Sequence, residues 1–295
     1  AEGRALLPSI VAYTPAGVVV GDAARRQLAR QPARTVYSVK RLMGRGYEDV
    51  QDELGQLPFQ VVPAAEIVRI RIDDREVTPP EVSAQVLRAL KQRAEAALGE
   101  KIERAVVTVP AYFNDSQRQA TKDAGRIAGL DVVRIVNEPT AASLAYGLQR
   151  RAEGLIAVYD LGGGTFDISI LRVKGGVFEV LATNGNTHLG GDDFDLALVS
   201  WLLEDIRTVH GADLARDPEA RQELRLAVEA AKCRLSFEER THLAIPFGDF
   251  VYRRDFTRAD VEARIAALVE ATLGPCHQAL EDGALAREQV DEVVL

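Results

Sequence analysis

Asp160-Leu161-Gly162-Gly163-Gly164-Thr165-Phe166-Asp167 is the stretch on which the reading of this 295-residue chain turns. Apolar, β-branched runs flank it, Leu155–Tyr159 before and Phe166–Val173 after, so the glycines fall in a tight turn between two strands. Three consecutive residues without Cβ let backbone N–H groups approach a ligand closely, and such a nest favours anions, phosphate above all. Asp160 and Asp167 bracket the turn and suit a water shell around a magnesium ion beside that phosphate. Thr165 adds a hydroxyl donor. Glycines alone would read as a glycine-rich hairpin with two solvated aspartates. Both acids and the hydroxyl, set between buried strands, favour phosphate binding instead.

Outward from this turn the chain reads as α/β. On the N-terminal side, Ser9–Ala12 and Gly17–Val20 form short strands around Thr14-Pro15-Ala16. Asp22–Arg30 and Ser38–Arg45 carry helix formers, and Ile67–Ile72 alternates apolar residues with arginine as a half-exposed strand. Pro79-Pro80 breaks the chain before a long amphipathic helix, Glu81–Leu98, ended by Gly99. Then come a strand Arg104–Val109 stopped by Pro110, a helix Asp115–Ala128 capped by Asn114 or Asp115, a strand Val132–Val136, and a helix Thr140–Leu148. On the C-terminal side, Gly176–Ala182 is a third strand, and Asp193–Val209 and Pro218–Arg240 are helices. His242–Ile245 and Phe250–Tyr252 make a short hairpin, Asp260–Leu280 a helix, and Val290–Leu295 starts a strand. This order predicts two α/β lobes, 1–150 and 151–295, meeting near Gln149–Gly154. Peripheral subdomains are expected at about 9–82 and 190–265.

Composition narrows the function. Lys plus Arg number 36 and Asp plus Glu 44, a formal charge of −8. Such a chain is a poor coat for nucleic acid or an anionic membrane surface. No run approaches the roughly 18 apolar residues of a membrane span, and no secretory leader opens the sequence. Cys233 and Cys276 form no CxxC, which argues against a disulfide framework or structural zinc and points to a reducing, cytoplasmic setting. GxxxxGK[ST], GxGxxG after a strand, HExxH and GxSxG are all absent. The four histidines, His188, His210, His242 and His277, show no ligand spacing.

The glycine turn resembles the second phosphate loop of the actin-like ATPase superfamily, and its companions narrow the likeness. Val39-Lys40-Arg41-Leu42-Met43-Gly44-Arg45, Val109-Pro110-Ala111-Tyr112-Phe113-Asn114-Asp115-Ser116-Gln117-Arg118, Asn137-Glu138-Pro139-Thr140-Ala141-Ala142 and His188-Leu189-Gly190-Gly191-Asp192-Asp193-Phe194-Asp195 all resemble the DnaK-type heat-shock chaperones. These motifs keep one order along essentially the whole chain. The resemblance implies a two-lobed actin-like ATPase fold with ribonuclease H-like lobes, truncated at both ends, that binds ATP or ADP with Mg2+.

That resemblance also implies roles. Lys40 would reach the γ-phosphate and the attacking water, a cation placed at developing negative charge. Glu138, at a helix start, and Asp160 would hold magnesium through water. Thr165 and Asp167 would order the γ-phosphate and the water network, over a cradle of Gly162, Gly163 and Gly164, with Gly191 close to the nucleotide. On the helix Pro218–Arg240, Leu224, Val228, Ala231 and Leu235 form an apolar stripe. Glu229, Lys232 and Ser236 share the neighbouring polar face, where the resemblance implies ribose and adenine contacts; read alone, that face is a solvated Glu–Lys pair. Cys233 stands where many relatives carry arginine, which weakens the adenine-stacking expectation. Pro110 and Arg118 match a pair that couples nucleotide state to an attached substrate-binding domain.

The resemblance further implies partners: a J-domain co-chaperone, a nucleotide exchange factor, and an unfolded peptide or an iron–sulfur scaffold protein held by a further domain. Val39–Arg45, Gly176–Ala182 and the brief hairpin resemble the HscA-type, iron–sulfur branch. The family's first phosphate hairpin is expected before Ala1 and its Gly-Gly-x-Thr-Arg adenosine segment after Leu295. The 295 residues alone are therefore expected to bind ATP weakly and turn it over poorly. An actin-like filament protein or a sugar kinase would share the glycine turn. The Val109–Asp115 motif disfavours the first, and the lack of a sugar-pocket carboxylate segment disfavours the second.

Overall fold

A computed structural model describes residues 6–54, 57–64, 67–146 and 153–295. Two hairpin-forming strands open it, β1 (Val11–Thr14) and β2 (Gly17–Val20), followed by α1 (Asp22–Arg25) and β3 (Thr35–Val36), which pairs with the other edge of β1. The basic segment Ser38–Arg45, for all its helix formers, holds one 3-10 turn, Val39–Leu42, between a left-handed Ser38 at φ 52° and an extended Met43. Asp22–Arg30 likewise keeps only α1 as regular helix. After α2 (Gln51–Leu54), the strands β4 (Gln60–Val62), β5 (Arg69–Ile72) and β6 (Arg75–Val77) make an antiparallel meander. The β1 sheet and this meander share a core of Val11, Val36, Val61, Ile70 and Ile72.

Pro79-Pro80 starts α3 (Pro79–Leu98) instead of breaking the chain. Thr78 and Glu81 form a reciprocal capping box, and the prolines occupy the first turn, where no helical N–H partner exists anyway. A parallel pair follows, β7 (Arg104–Val109) and β8 (Asp131–Asn137), joined by α4 (Asp115–Ile127). Asn114 caps α4 through a second box with Gln117. β8 runs straight into α5 (Glu138–Ala145), which places Glu138 at a strand-to-helix corner. The expected end of that helix at Leu148 and most of the expected lobe junction at Gln149–Gly154 lie outside the described residues.

The C-terminal side is built on β9 (Glu153–Leu161), β10 (Phe166–Lys174) and β11 (Val177–Asn186), antiparallel neighbours in one sheet. Next come α6 (Gly191–His210) and α7 (Pro218–Leu235), then β12 (Arg240–Phe247) and β13 (Phe250–Thr257). These two strands form a longer hairpin than the brief one expected; Thr241, Leu243, Ile245 and Phe247 alternate with exposed residues along β12. The expected helix Asp260–Leu280 is two, α8 (Arg258–Glu270) and α9 (Leu273–Asp282). Pro275, which has no N–H, sits in the first turn of α9 and prevents the ladder from running through. Last, β14 (Glu292–Val294) joins β9 in parallel, making the sheet order β11-β10-β9-β14. One face of this sheet buries Phe166, Ile168 and Ile170, the other Ile156, Leu171 and Val173. The α7 stripe Leu224, Val228, Ala231 and Leu235 is buried with Leu243, Ile245 and Phe256 in a separate core. No described helix is long and apolar enough to cross a membrane.

Candidate active site

The triple-glycine turn joins β9 to β10. Its tightness comes from Gly162 N–H donating to Thr165 O at 2.9 Å, while the N–H groups of Gly163 and Gly164 have no partner among the described residues. None of the three glycines has positive φ. What glycine supplies here is space: a Cβ on Gly164 would lie 3.2 Å from Arg41 Nε, and Gly163 faces open volume.

That volume is a cavity of about 630 Å³ lined by Lys40, Pro110, Glu138, Gly163, Gly164, Thr165 and Glu229, within the range of small-molecule sites. Lys40 and Glu138, 98 positions apart, meet across it, with Nζ 3.0 and 3.1 Å from the two carboxylate oxygens. The Asp167 side chain is 4% exposed. Its Oδ2 accepts the Thr165 hydroxyl at 3.3 Å, and its Oδ1 is buried without a partner. The neighbouring Tyr112 hydroxyl is likewise buried and unpartnered. Asp160 pairs with Asp167 across the β9–β10 ladder and is exposed. Lys40, Glu138, Asp160, Thr165 and Asp167 are thus one cluster.

The electrostatics follow from that crowding. Burial lifts the Asp167 carboxyl to about 7; Lys40 opposes the rise, Glu138 and Asp160 add to it, and the Thr165 hydroxyl opposes it. Burial, and then the Asp167 charge, also push the Tyr112 phenol well above its usual range. In the unfolded chain Asp167 ionises near 3.8. Between about pH 4 and 7 the folded state therefore keeps a proton that the unfolded state has released, and stability falls as pH rises through that window. Asp167→Asn is expected to abolish most of this fall, on the order of 3 kcal/mol, in urea denaturation of nucleotide-free protein at pH 5 and pH 8. Equal slopes for variant and parent would contradict it.

The remaining expected contacts separate. Gly191 docks directly on the loop, its N–H donating to Gly162 O at 2.9 Å. Glu229 lines the cavity and pairs with Arg25 at 2.6 Å, so it bridges α1 and α7 rather than standing solvated. Lys232 is committed to Asp195 at 2.5 Å and to Gly191 O at 3.3 Å. Burial raises the Asp195 carboxyl and Lys232 counters it. Ser236 is the exposed C-terminal cap of α7, and the helix stops at Leu235, short of Arg240. Cys233 is exposed. Arg118 does more than decorate a helix: it donates to Phe113 O, Ala111 O and Asn137 Oδ1 at 2.8–2.9 Å. Those bonds hold the turn after Pro110 against the strand end that presents Glu138.

Several site residues were not singled out as sequence: Ser38, Arg41, Tyr112, Asp192 and Arg225. All but Arg225 lie within or beside the quoted motifs, but Ser38, Arg41, Asp192 and Arg225 find their partners only through folding, and Tyr112 its buried place beside Asp167. Arg225 stacks on Tyr37, 4.0 Å from the ring centre, and pairs with Asp192 at 2.6 Å.

Among the described residues no three His, Cys, Asp or Glu side chains converge as a direct metal cluster. The donor set, the carboxylates of Glu138, Asp160 and Asp167 without direct convergence, instead suits an ion that keeps its own water. The Hsp70 protein family model matches residues 1–295. The chaperone protein dnaK of Cyanidioschyzon merolae (strain NIES-3377 / 10D) is 50% identical over 304 aligned residues, covering all of this chain and 50% of that relative. The chain thus spans about half the length of the curated relative it matches. A match over its full extent, together with two α/β lobes closing on a glycine-rich loop, makes the chain a member of the Hsp70 family, with that family's two-lobed actin-like fold.

Proposed function

We propose that the chain is the nucleotide-binding ATPase module of a DnaK-type molecular chaperone, with ATP or ADP and Mg2+ between lobes 1–150 and 151–295 and peripheral subdomains at about 9–82 and 190–265. The observation that carries the reading is that Lys40, Glu138 and Thr165 line one cavity beside the loop N–H groups, with Asp167 bonded to Thr165 and Asp160 opposite Asp167 on the β9–β10 ladder. Gly163 and Gly164 would donate N–H bonds to phosphate oxygens. Bound magnesium supplies charge neutralisation on those oxygens, held through water by Glu138, Asp160 and Asp167. Lys40 would place its ammonium where negative charge develops, and the Asp167 carboxyl would order, and near neutral pH accept a proton from, the attacking water. Glu229 and Lys232 support the nucleoside end; Ser236 contributes only from the helix rim.

Hydrolysis would switch the peptide grip of a further domain, with Pro110 and Arg118 as the relay. A J-domain protein, an exchange factor and unfolded peptide are the proposed partners. The narrower iron–sulfur assignment rests on the HscA-like segments alone; stimulation by an iron–sulfur scaffold protein rather than by unfolded peptide would mark it. The test is single-turnover hydrolysis of Mg·ATP by the protein carrying this chain. Turnover stimulated by unfolded peptide and by a J-domain protein is expected. Stimulation by a sugar, or ATP-dependent sedimentation without peptide binding, would overturn the reading.

A further inference from the structure

Lys40 rides on a single 3-10 turn, Val39–Leu42, too short to hold its own geometry. Ser38, the residue that starts the turn, is left-handed at φ 52°, a conformation that costs a non-glycine residue. Across the cleft stands the corner Gly190–Asp193. It is docked on the phosphate loop by Gly191 N–H to Gly162 O at 2.9 Å and Asp192 N–H to Gly163 O at 2.7 Å. Contact is so close that a Cβ on Gly190 would fall 2.6 Å from Gly163 O. The turn is lashed to this corner. The Ser38 hydroxyl donates to Asp192 Oδ2, and Asp192 Oδ1 is held by Arg225, whose guanidinium covers Tyr37. Arg41 donates from Nε to Gly164 O at 2.7 Å and from Nη2 to Asp193 Oδ2 at 2.6 Å, with its side chain only 9% exposed.

Resting on the ATPase reading above, we infer that Ser38 and Arg41 are positioning residues for Lys40, fixing its turn to the phosphate loop through the Gly190–Asp193 corner. Among the described residues the Lys40 side chain is bonded only at its tip, to Glu138, and it is 45% exposed. Its placement therefore depends on the backbone that bears it. The two ties act from either side of Lys40, one residue after it and two before. Closing the corner on the turn and presenting the ammonium to the loop are one event.

Ser38 gives the cleaner test, because removing the buried Arg41 would leave the half-buried Asp193 carboxylate without its cation and open a gap against Gly164. Ser38→Gly removes the hydroxyl and relieves the backbone. Ser38→Asn tolerates the left-handed conformation and keeps an N–H donor for Asp192. In the protein carrying this chain, Lys40 acetylation by acetic anhydride without nucleotide is expected to rise about fivefold in Ser38→Gly, and less than about twofold in Ser38→Asn, a charge-assisted bond being lost in the first alone. Single-turnover hydrolysis is expected to slow about tenfold in Ser38→Gly with ATP affinity within about twofold, and to recover in Ser38→Asn. A purely conformational role predicts the reverse order, with Gly at least as good as Ser. Ser38→Gly labelling or hydrolysing like the parent overturns the inference. A parent that never hydrolyses ATP overturns the ATPase reading instead, while the labelling ratio still decides the tie.

Discussion

Lys40→Ala is expected to slow single-turnover hydrolysis by roughly 10²–10³, the cost of removing one preorganised charge from a reacting centre. ATP affinity should change little, because the glycine loop and the α6 and α7 contacts are untouched. The Lys40 ammonium sits within 3.1 Å of both Glu138 oxygens, and its charge holds the Asp167 carboxyl down. Its removal has a second, separable signature. Asp167 then rises further above about 7, so the residual rate should climb with pH over a more alkaline range than in the parent. Rapid-quench measurements at pH 6, 7, 8 and 9 check both. A loss under fivefold would mean that charge develops elsewhere in the cavity.

Lys232→Ala is expected to destabilise the fold by about 3–5 kcal/mol, because it leaves a carboxylate buried without its cation. The Asp195 side chain is 5% exposed and bonded at 2.5 Å to Lys232. Combining Lys232→Met with Asp195→Asn should recover most of that loss, since the unpaired charge is then gone. Chemical denaturation of the two variants side by side provides the comparison. If the single variant costs less than 1 kcal/mol and the double variant gains nothing, the pair is an ordinary surface contact. The same substitution should loosen Gly191, whose carbonyl also accepts from Lys232, and with it the corner docked on the phosphate loop.

Much of the fold was legible residue by residue. β7 falls on Arg104–Val109 as expected, because a β-branched run ended by Pro110 has few alternatives. α4 begins at the cap that Asn114 announces. Legibility failed where a signal is conditional on its surroundings. Pro79-Pro80 is a breaker inside a helix and a starter at its first turn, and the Thr78–Glu81 box decides which. Pro275 divides α8 from α9, while the alternating pattern of β12 is masked by Arg240, His242 and Pro246. The helix formers of Ser38–Arg45 do not reveal the turn bearing Lys40, because nothing in Ser38 itself announces a left-handed backbone.

By itself, the order of residues determined the α/β succession of strands and helices and the glycine turn between β9 and β10, with Asp160, Thr165 and Asp167 beside it; Lys40 and Glu138 were legible only through the motif resemblance. The succession and the turn follow from local physics: strand propensity, missing Cβ atoms, capping side chains and chain breakers act within a few residues. Only the tertiary structure decided partnership. Lys40 meets Glu138, Arg25 meets Glu229, Lys232 meets Asp195, and Ser38 and Arg41 reach Asp192 and Asp193. Charge pairing acts through space and is set by which groups the packed lobes leave within about 4 Å of each other, a distance no linear spacing encodes.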